Sequence, residues 1–145
     1  MGINSRLSVG IHILALLEIN KQGVNTSEYL ASSINTNPTV VRKITGLLRN
    51  AGLVEVHPGV AGAKPAKEIS EITLFDVYRA VNPDHEKELF SMHDSPNPMC
   101  PVGKNIQGSV EPHFKNAQRA LEKELEKVTI SDVVKNIIDK ENARK

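Results

Sequence analysis

A chain of 145 residues is the size of one domain and too short for two full ones. Hydrophobic residues make up 39%, charged residues 24% and aromatic residues only 3%, with no Trp; the core must be built from Leu, Ile, Val and Ala, which favours helices over a β-sandwich. The net charge of +1 hides an asymmetry: residues 1–67 carry seven basic and three acidic side chains and residues 68–145 eleven and fourteen, as in a nucleic-acid binder with a separate assembly region.

The first predicted helix runs from Ser5, its N-cap, to about Asn20, with Leu7, Ile11, Leu14 and Leu17 at helical spacing. Val9, Ile13, Leu16 and Ile19 make it apolar on more than one side, which predicts burial from two directions. Asn25-Thr26-Ser27-Glu28 has the spacing of a capping box and opens a short helix to about Ser33. After a polar turn, Asn37-Pro38 pairs an N-cap with Pro at the first helical position. That third helix reaches about Asn50, with Val41, Ile44, Leu47 and Leu48 on one face and Gly52 closing it.

Leu53 to His57 alternates like a strand, and Ala63 to Lys67 returns, with Pro65 confining it to an edge. A helix carrying Leu74, Val77, Tyr78 and Val81 follows. Residues 82–99 read as a long loop with one helical turn near 86–90, a length more often functional than accidental. From Pro101 to Lys127 apolar residues recur every three or four positions over ~40 Å of helix, too long to be covered by so small a domain. Pro112 is expected to kink it. Thr129 caps a last helix with Val133, Val134, Ile137 and Ile138 as its apolar stripe.

Three helices and a hairpin make the order of a winged helix-turn-helix. The helix from Pro38 leaves Thr39, Val40, Arg42 and Lys43 facing outward near its N-terminus, where Asn37 also lies; the other reading of Val40 is a core residue, which leaves the face only polar. Arg or Lys suits guanine O6/N7, and a Val or Thr methyl suits thymine. Arg6, Ser27 and Arg49 are candidate phosphate contacts. The hairpin tip, flanked by His57 and Lys64, can lie along the minor groove.

Thr26-Ser27-Glu28-Tyr29-Leu30-Ala31, Leu47-Leu48-Arg49-Asn50-Ala51-Gly52-Leu53-Val54, the Gly59/Gly62 wing and the segment Ile72 to Val81 together resemble the Rrf-two family of bacterial transcription regulators. Pro96-Asn97-Pro98-Met99-Cys100-Pro101-Val102-Gly103 is most similar to its YwnA/HypR-like branch. The resemblance covers nearly the whole chain. It implies a homodimeric repressor of double-stranded DNA whose long C-terminal helix pairs with its partner's, through Ile106, Val110, Phe114, Leu121 and Leu125. Two positions depart from the family pattern. The iron–sulfur members supply three closely spaced cysteines where this chain has Cys100 alone, and the Arg often found before the first wing glycine is Pro58.

The expected fold class is therefore mainly α with a small β-hairpin wing. Residues 1–81 form the winged helix-turn-helix (wing about 53–67), 82–100 a loop carrying the candidate sensor, and 101–145 the dimerisation and C-terminal helices. Cys100 before a helix-starting Pro has its thiolate favoured by the helix dipole and free N–H groups, with Lys104 one turn on. Redox sensing is one reading of it and a small buried hydrophobe the other. His93, Cys100 and His113 match no compact metal-ligand spacing, so neither a metal nor a cofactor is expected, and one cysteine forms no intrachain disulfide.

No Gly-rich phosphate loop, paired acids or oxyanion motif points to an enzyme. A dimeric protein-interaction module without DNA binding, or a regulator answering a non-redox ligand, are the alternatives. The most apolar stretch, Ile11 to Leu17, is less than half of the ~20 residues a membrane helix needs. The amino terminus lacks signal-peptide regions, and Arg6 stands where myristoylation requires Ser or Thr. A cytoplasmic chain is expected, controlled by an oxidant or a small-molecule inducer.

Overall fold

The structure is a computed structural model that describes residues 3–83 and 90–144, with side chains from Ser5 onward. The central helix is α1 (Ile3–Ile19), against which α2 (Ser27–Ile34), α3 (Pro38–Asn50), α4 (Leu74–Val81) and α6 (Ile130–Ala143) pack. Ile13, Leu14 and Leu17 are wholly buried in it, as expected of a helix apolar on several sides. It begins at Ile3, so Ser5 lies inside it rather than capping it.

Local chemistry sets each boundary. Thr26, not Asn25, caps α2 by accepting the Tyr29 N–H at 3.1 Å, and Asn25 is instead buried and bonded to Asn20. The left-handed Asn35 (φ 64°) ends that helix, and Asn37 Oδ1 accepts the Val40 N–H at 3.0 Å to start α3. At the other end of α3, Leu53 N–H donates to Leu48 O and Gly52 N–H to Arg49 O, each at 3.0 Å. This is a Schellman closure with Leu48 and Leu53 both buried beneath it.

The hairpin is short: β1 (Val54–Glu55) runs antiparallel to β2 (Lys64–Pro65), with Val54 opposite Pro65 and Glu55 opposite Lys64. Pro65 has no N–H to give, which limits the ladder. The wing is fixed at its base instead. Ala63 N–H donates to Asn25 O at 3.3 Å, and a Cβ on Gly62 (φ 89°) would come within 2.9 Å of the Asn25 backbone nitrogen. Only a glycine lets the wing lie this close to the turn before α2.

Beyond a 3-10 turn (Ile69–Glu71), α4 and α6 start side by side from matching capping boxes. Thr73 and Thr129 each accept the N–H of the Asp three residues on, and that carboxylate accepts the Thr N–H. Leu74 N–H to Val128 O (2.9 Å) and Ile130 N–H to Ile72 O (2.8 Å) tie the two starts together. Ile130 is wholly buried and Val134 is 6% exposed, both within the core that α1 and α3 supply. The last helix, grouped with the long one on sequence order, thus completes the core of the first half. Of its apolar stripe Val134 alone is buried; Val133 is half-buried, and Ile137 (42%) and Ile138 (45%) stay exposed.

Between them stands α5 (Pro101–Glu126), which runs on through Pro112 and packs on α4. Among the described residues of α5 only Gln118 is buried; it donates to the Tyr78 hydroxyl at 3.1 Å and to Glu122 at 3.0 Å. The helical turn expected near 86–90 falls, apart from Phe90, outside the described residues.

His12 on α1 is half-buried, with Nε2 3.0 Å from Ser33 Oγ on α2, and loss of hydration lowers its pKa below 6.5. A base whose pKa drops on folding resists protonation, so its contribution to stability is complete above 6.5 and is lost as the pH falls toward the folded pKa. Thermal unfolding followed from pH 8 to pH 5 is expected to show a midpoint falling below about pH 6.5. In His12→Gln that slope flattens; an unchanged slope would remove His12 from this role.

Candidate nucleic-acid interface

The exposed end of α3 gathers most of the residues singled out from the sequence. Thr39, Arg42 and Lys43 are exposed at positions three and four apart, so they share a face, and the exposed Arg49 lies on it two turns beyond Arg42. Val40 is half-buried and packs against the core, leaving that face polar. Asn37 is exposed, but its Oδ1 is committed to the helix cap, so Nδ2 is its remaining polar atom. Ser27, the first residue of α2, is half-buried.

The caps and the Leu48–Leu53 closure hold α3 at both ends, and Val41, Ile44 and Leu48, all wholly buried, fix its rotation. The basic face therefore projects from a rigid support. His57 and Lys64 are exposed on the hairpin, where His57 Nε2 sits 3.5 Å from Glu55. The tip turns through Val60 N–H to His57 O at 3.1 Å. Arg6 is half-buried near the start of α1, and its Nε is buried without a hydrogen-bond partner.

Two contributors escaped the sequence reading. Glu28, assigned there to a capping box, instead pairs with Arg42, Oε1 to Nη2, at 3.0 Å. Asn25 was read as part of that same box, yet it is the residue on which the wing rests. The available signal was the neighbouring Thr26, a competing cap whose selection shifts both residues into other roles.

Cys100 is exposed, not buried, and stands as the N-cap residue of α5. Its sulfur makes no formed cap hydrogen bond, but the facing N–H groups of Gly103 and then Val102 lower the thiol pKa. The approach is fixed by a tight turn: Cys100 N–H donates to Asn97 O at 3.2 Å and Met99 N–H to Asn97 Oδ1 at 3.0 Å. A Cβ on Gly103 would overlap the Asn97 carbonyl, so glycine is needed for this turn to seat on the helix.

Alkylation of Cys100 by iodoacetamide at pH 7 is accordingly expected to outpace that of free cysteine severalfold, since more of it is thiolate. Gly103→Ala should slow it toward the free rate by displacing the turn. A wild-type rate equal to that of free cysteine would contradict this account of the thiol.

Along α5, Ile106, Val110, Phe114, Leu121 and Leu125 are each half-buried within the single chain. Phe90 from the preceding loop stacks on Phe114 at 5.4 Å between ring centroids, and Val102 is 68% exposed. The five residues thus remain along one helix as a partly covered apolar row. Among the described residues no group of three or more His, Cys, Asp and Glu side chains comes together as a metal site, and no helix is long and apolar enough to cross a membrane.

A capped helix pair, a third supporting helix and a hairpin folded back beside the second helix of the pair define a winged helix-turn-helix. The sequence profile of Rrf2, described as an iron-dependent transcriptional regulator, matches residues 3–136. YwnA of Bacillus subtilis (strain 168), named as an HTH-type transcriptional regulator, is 44% identical over 135 residues, covering 93% of this chain and 98% of that one. A crystal structure described as that of a DNA binding protein is 41% identical with a TM-score of 0.72, covering 88% of this chain and 97% of its own. CymR (YrzC), described as the global cysteine regulator of B. subtilis, shares the fold at 20% identity and a TM-score of 0.65, covering 93% and 97%. The chain belongs to the Rrf2 family of transcriptional regulators.

An iron–sulfur cluster does not fit this chain. Such a cluster requires several thiolates, and the sequence holds one cysteine, Cys100.

Proposed function

We propose that the chain is a cytoplasmic, homodimeric repressor that reads operator DNA with α3, has no catalytic activity, and is controlled by thiol chemistry at Cys100. The observation that carries this reading is the exposed basic face of Thr39, Arg42, Lys43 and Arg49 on a helix fixed at both ends. Arg42 and Lys43 read base edges, with Thr39 and Asn37 as secondary contacts; Val40 contributes at most its outer methyl to a thymine. Arg6, Ser27 and Arg49 bind phosphates, and His57 and Lys64 support them from the wing.

The DNA-reading unit is residues 1–81 completed by α6. The partly covered row on α5 is closed by the same row of a second copy, an isologous pairing that places two recognition helices on half-sites about 34 Å apart or a multiple of it. Residues 82–100 bring Cys100 to the start of that helix. The Cys100 thiolate takes an oxygen from a peroxide to give a sulfenic acid and hydroxide, and condensation with a second thiol gives a disulfide and water. Either product replaces the thiolate that the Gly103 and Val102 N–H groups favour, and the altered helix start shifts α5 and the spacing of the recognition helices.

The test is fluorescence anisotropy on the duplex best enriched from a random pool, before and after mild peroxide, with Cys100→Ser alongside. Both proteins are expected to bind, and peroxide to weaken wild type about tenfold or more, the equivalent of ~1.4 kcal/mol, leaving Cys100→Ser unaffected. Equal loss in both overturns the thiol switch, and failure to enrich any sequence overturns the DNA reader. Phe114→Asp is expected to convert the dimer to monomer in sedimentation; a dimer that persists contradicts the α5 pairing.

A further inference from the structure

The DNA-reading proposal leaves Glu28 unused. Its carboxylate, at the second position of α2, reaches across to Arg42 on α3, with 3.0 Å between Oε1 and Nη2. The side chains are 68% and 58% exposed, so the pair contributes little to folding. A carboxylate beside a face meant for phosphates opposes DNA binding in general, and its position calls for another account. Among the described residues Lys43, Arg49 and Lys64 enter no ion pair, so within this group of cations Arg42 alone is tethered.

We propose that Glu28 is a positioning residue that sets sequence discrimination through Arg42. An untethered arginine binds whichever phosphate is near, which raises affinity for every duplex alike. Held at one Nη, the guanidinium keeps a single reach across the α2–α3 junction and gives up part of its charge to the carboxylate. The attraction that remains is directional: the planar fork matching guanine O6 and N7, with the other donors still free. Glu28 thus lowers binding to arbitrary DNA more than binding to a correct site, the difference on which specificity rests. This inference rests on α3 being the reading helix. A carboxylate in the first turn of α2 also suits the helix dipole, and that simpler role does not depend on Arg42.

The test is a double-mutant cycle of Glu28→Gln and Arg42→Gln, read by anisotropy on the best-enriched duplex and on the unselected pool. Glu28→Gln is expected to tighten pool binding about fivefold, lower the selected-to-pool ratio about tenfold and steepen the pool's log–log salt slope by about 0.9 for each arginine released onto a phosphate. In the Arg42→Gln background it is expected to leave the ratio unchanged. Circular dichroism and the unfolding midpoint should match wild type throughout, the pair being exposed. An unchanged ratio in Glu28→Gln overturns the proposal, as does the same tenfold drop without Arg42, which would reduce Glu28 to a charge that repels phosphates. Wild type with no preference for any enriched sequence removes the reading helix itself, a failure separate from either.

Discussion

Replacing Arg42 and Lys43 together by Ala is expected to weaken binding to the selected duplex by about a hundredfold or more while leaving the unfolding midpoint within a degree or two of wild type. Each good side-chain contact to a base edge is worth ~1–3 kcal/mol of discrimination, and the two residues stand adjacent on the exposed turn of α3. Neither side chain is part of the buried cluster that holds the helix, and exposed ion pairs such as Arg42 with Glu28 contribute about 1 kcal/mol at most. Function and stability therefore separate at these positions. Anisotropy and calorimetry on the same preparation read both; a loss under threefold with the fold intact would move the reading face elsewhere.

A chain ending at Lys127 is expected not to unfold cooperatively, and to lose most of its stability at 25 °C. Its removal of α6 takes away Ile130 and Val134, leaves the Ile72 carbonyl without the Ile130 N–H, and opens the core beside α1 to water. Full burial of a side chain the size of Ile is worth about 1.5–3 kcal/mol, and a domain has only about 5–15 kcal/mol in hand. The point variant Ile130→Ala, which keeps the helix, is expected to lose about 2–5 kcal/mol in urea unfolding. Retention of a cooperative transition by the shortened chain would contradict the assignment of α6 to the first half's core.

Strong local signals were legible in the sequence. Asn37-Pro38 and Gly52 mark both ends of α3, and the buried set Val41, Ile44 and Leu48 follows from helical spacing. Thr129 with Asp132 marks the start of α6. What spacing does not carry is which surface meets which. Spacing alone does not say whether α6 packs on a partner or on α1; the paired capping boxes at Thr73 and Thr129 bring Ile130 and Val134 into the core and leave Ile137 and Ile138 exposed. The same limit applies to Glu28, for which a capping role and a bridge to Arg42 satisfy one pattern. At Cys100 the choice between a buried hydrophobe and an exposed thiol turned on the Asn97 turn and Gly103, a tertiary feature without a periodic signature.

The central claim, that α3 and the wing form a DNA-reading face, is tested most directly by the salt dependence of binding to the best-enriched duplex. Each phosphate neutralised by a cation contributes about −0.9 to the slope of log affinity against log salt. With Arg6, Arg49 and Lys64 on each of two protomers as phosphate contacts, the account predicts a slope of about −5 for the wild-type dimer. The Arg49→Ala protein should come about two units shallower. A slope near zero, or one that Arg49→Ala leaves untouched, would contradict the assignment of this face to DNA.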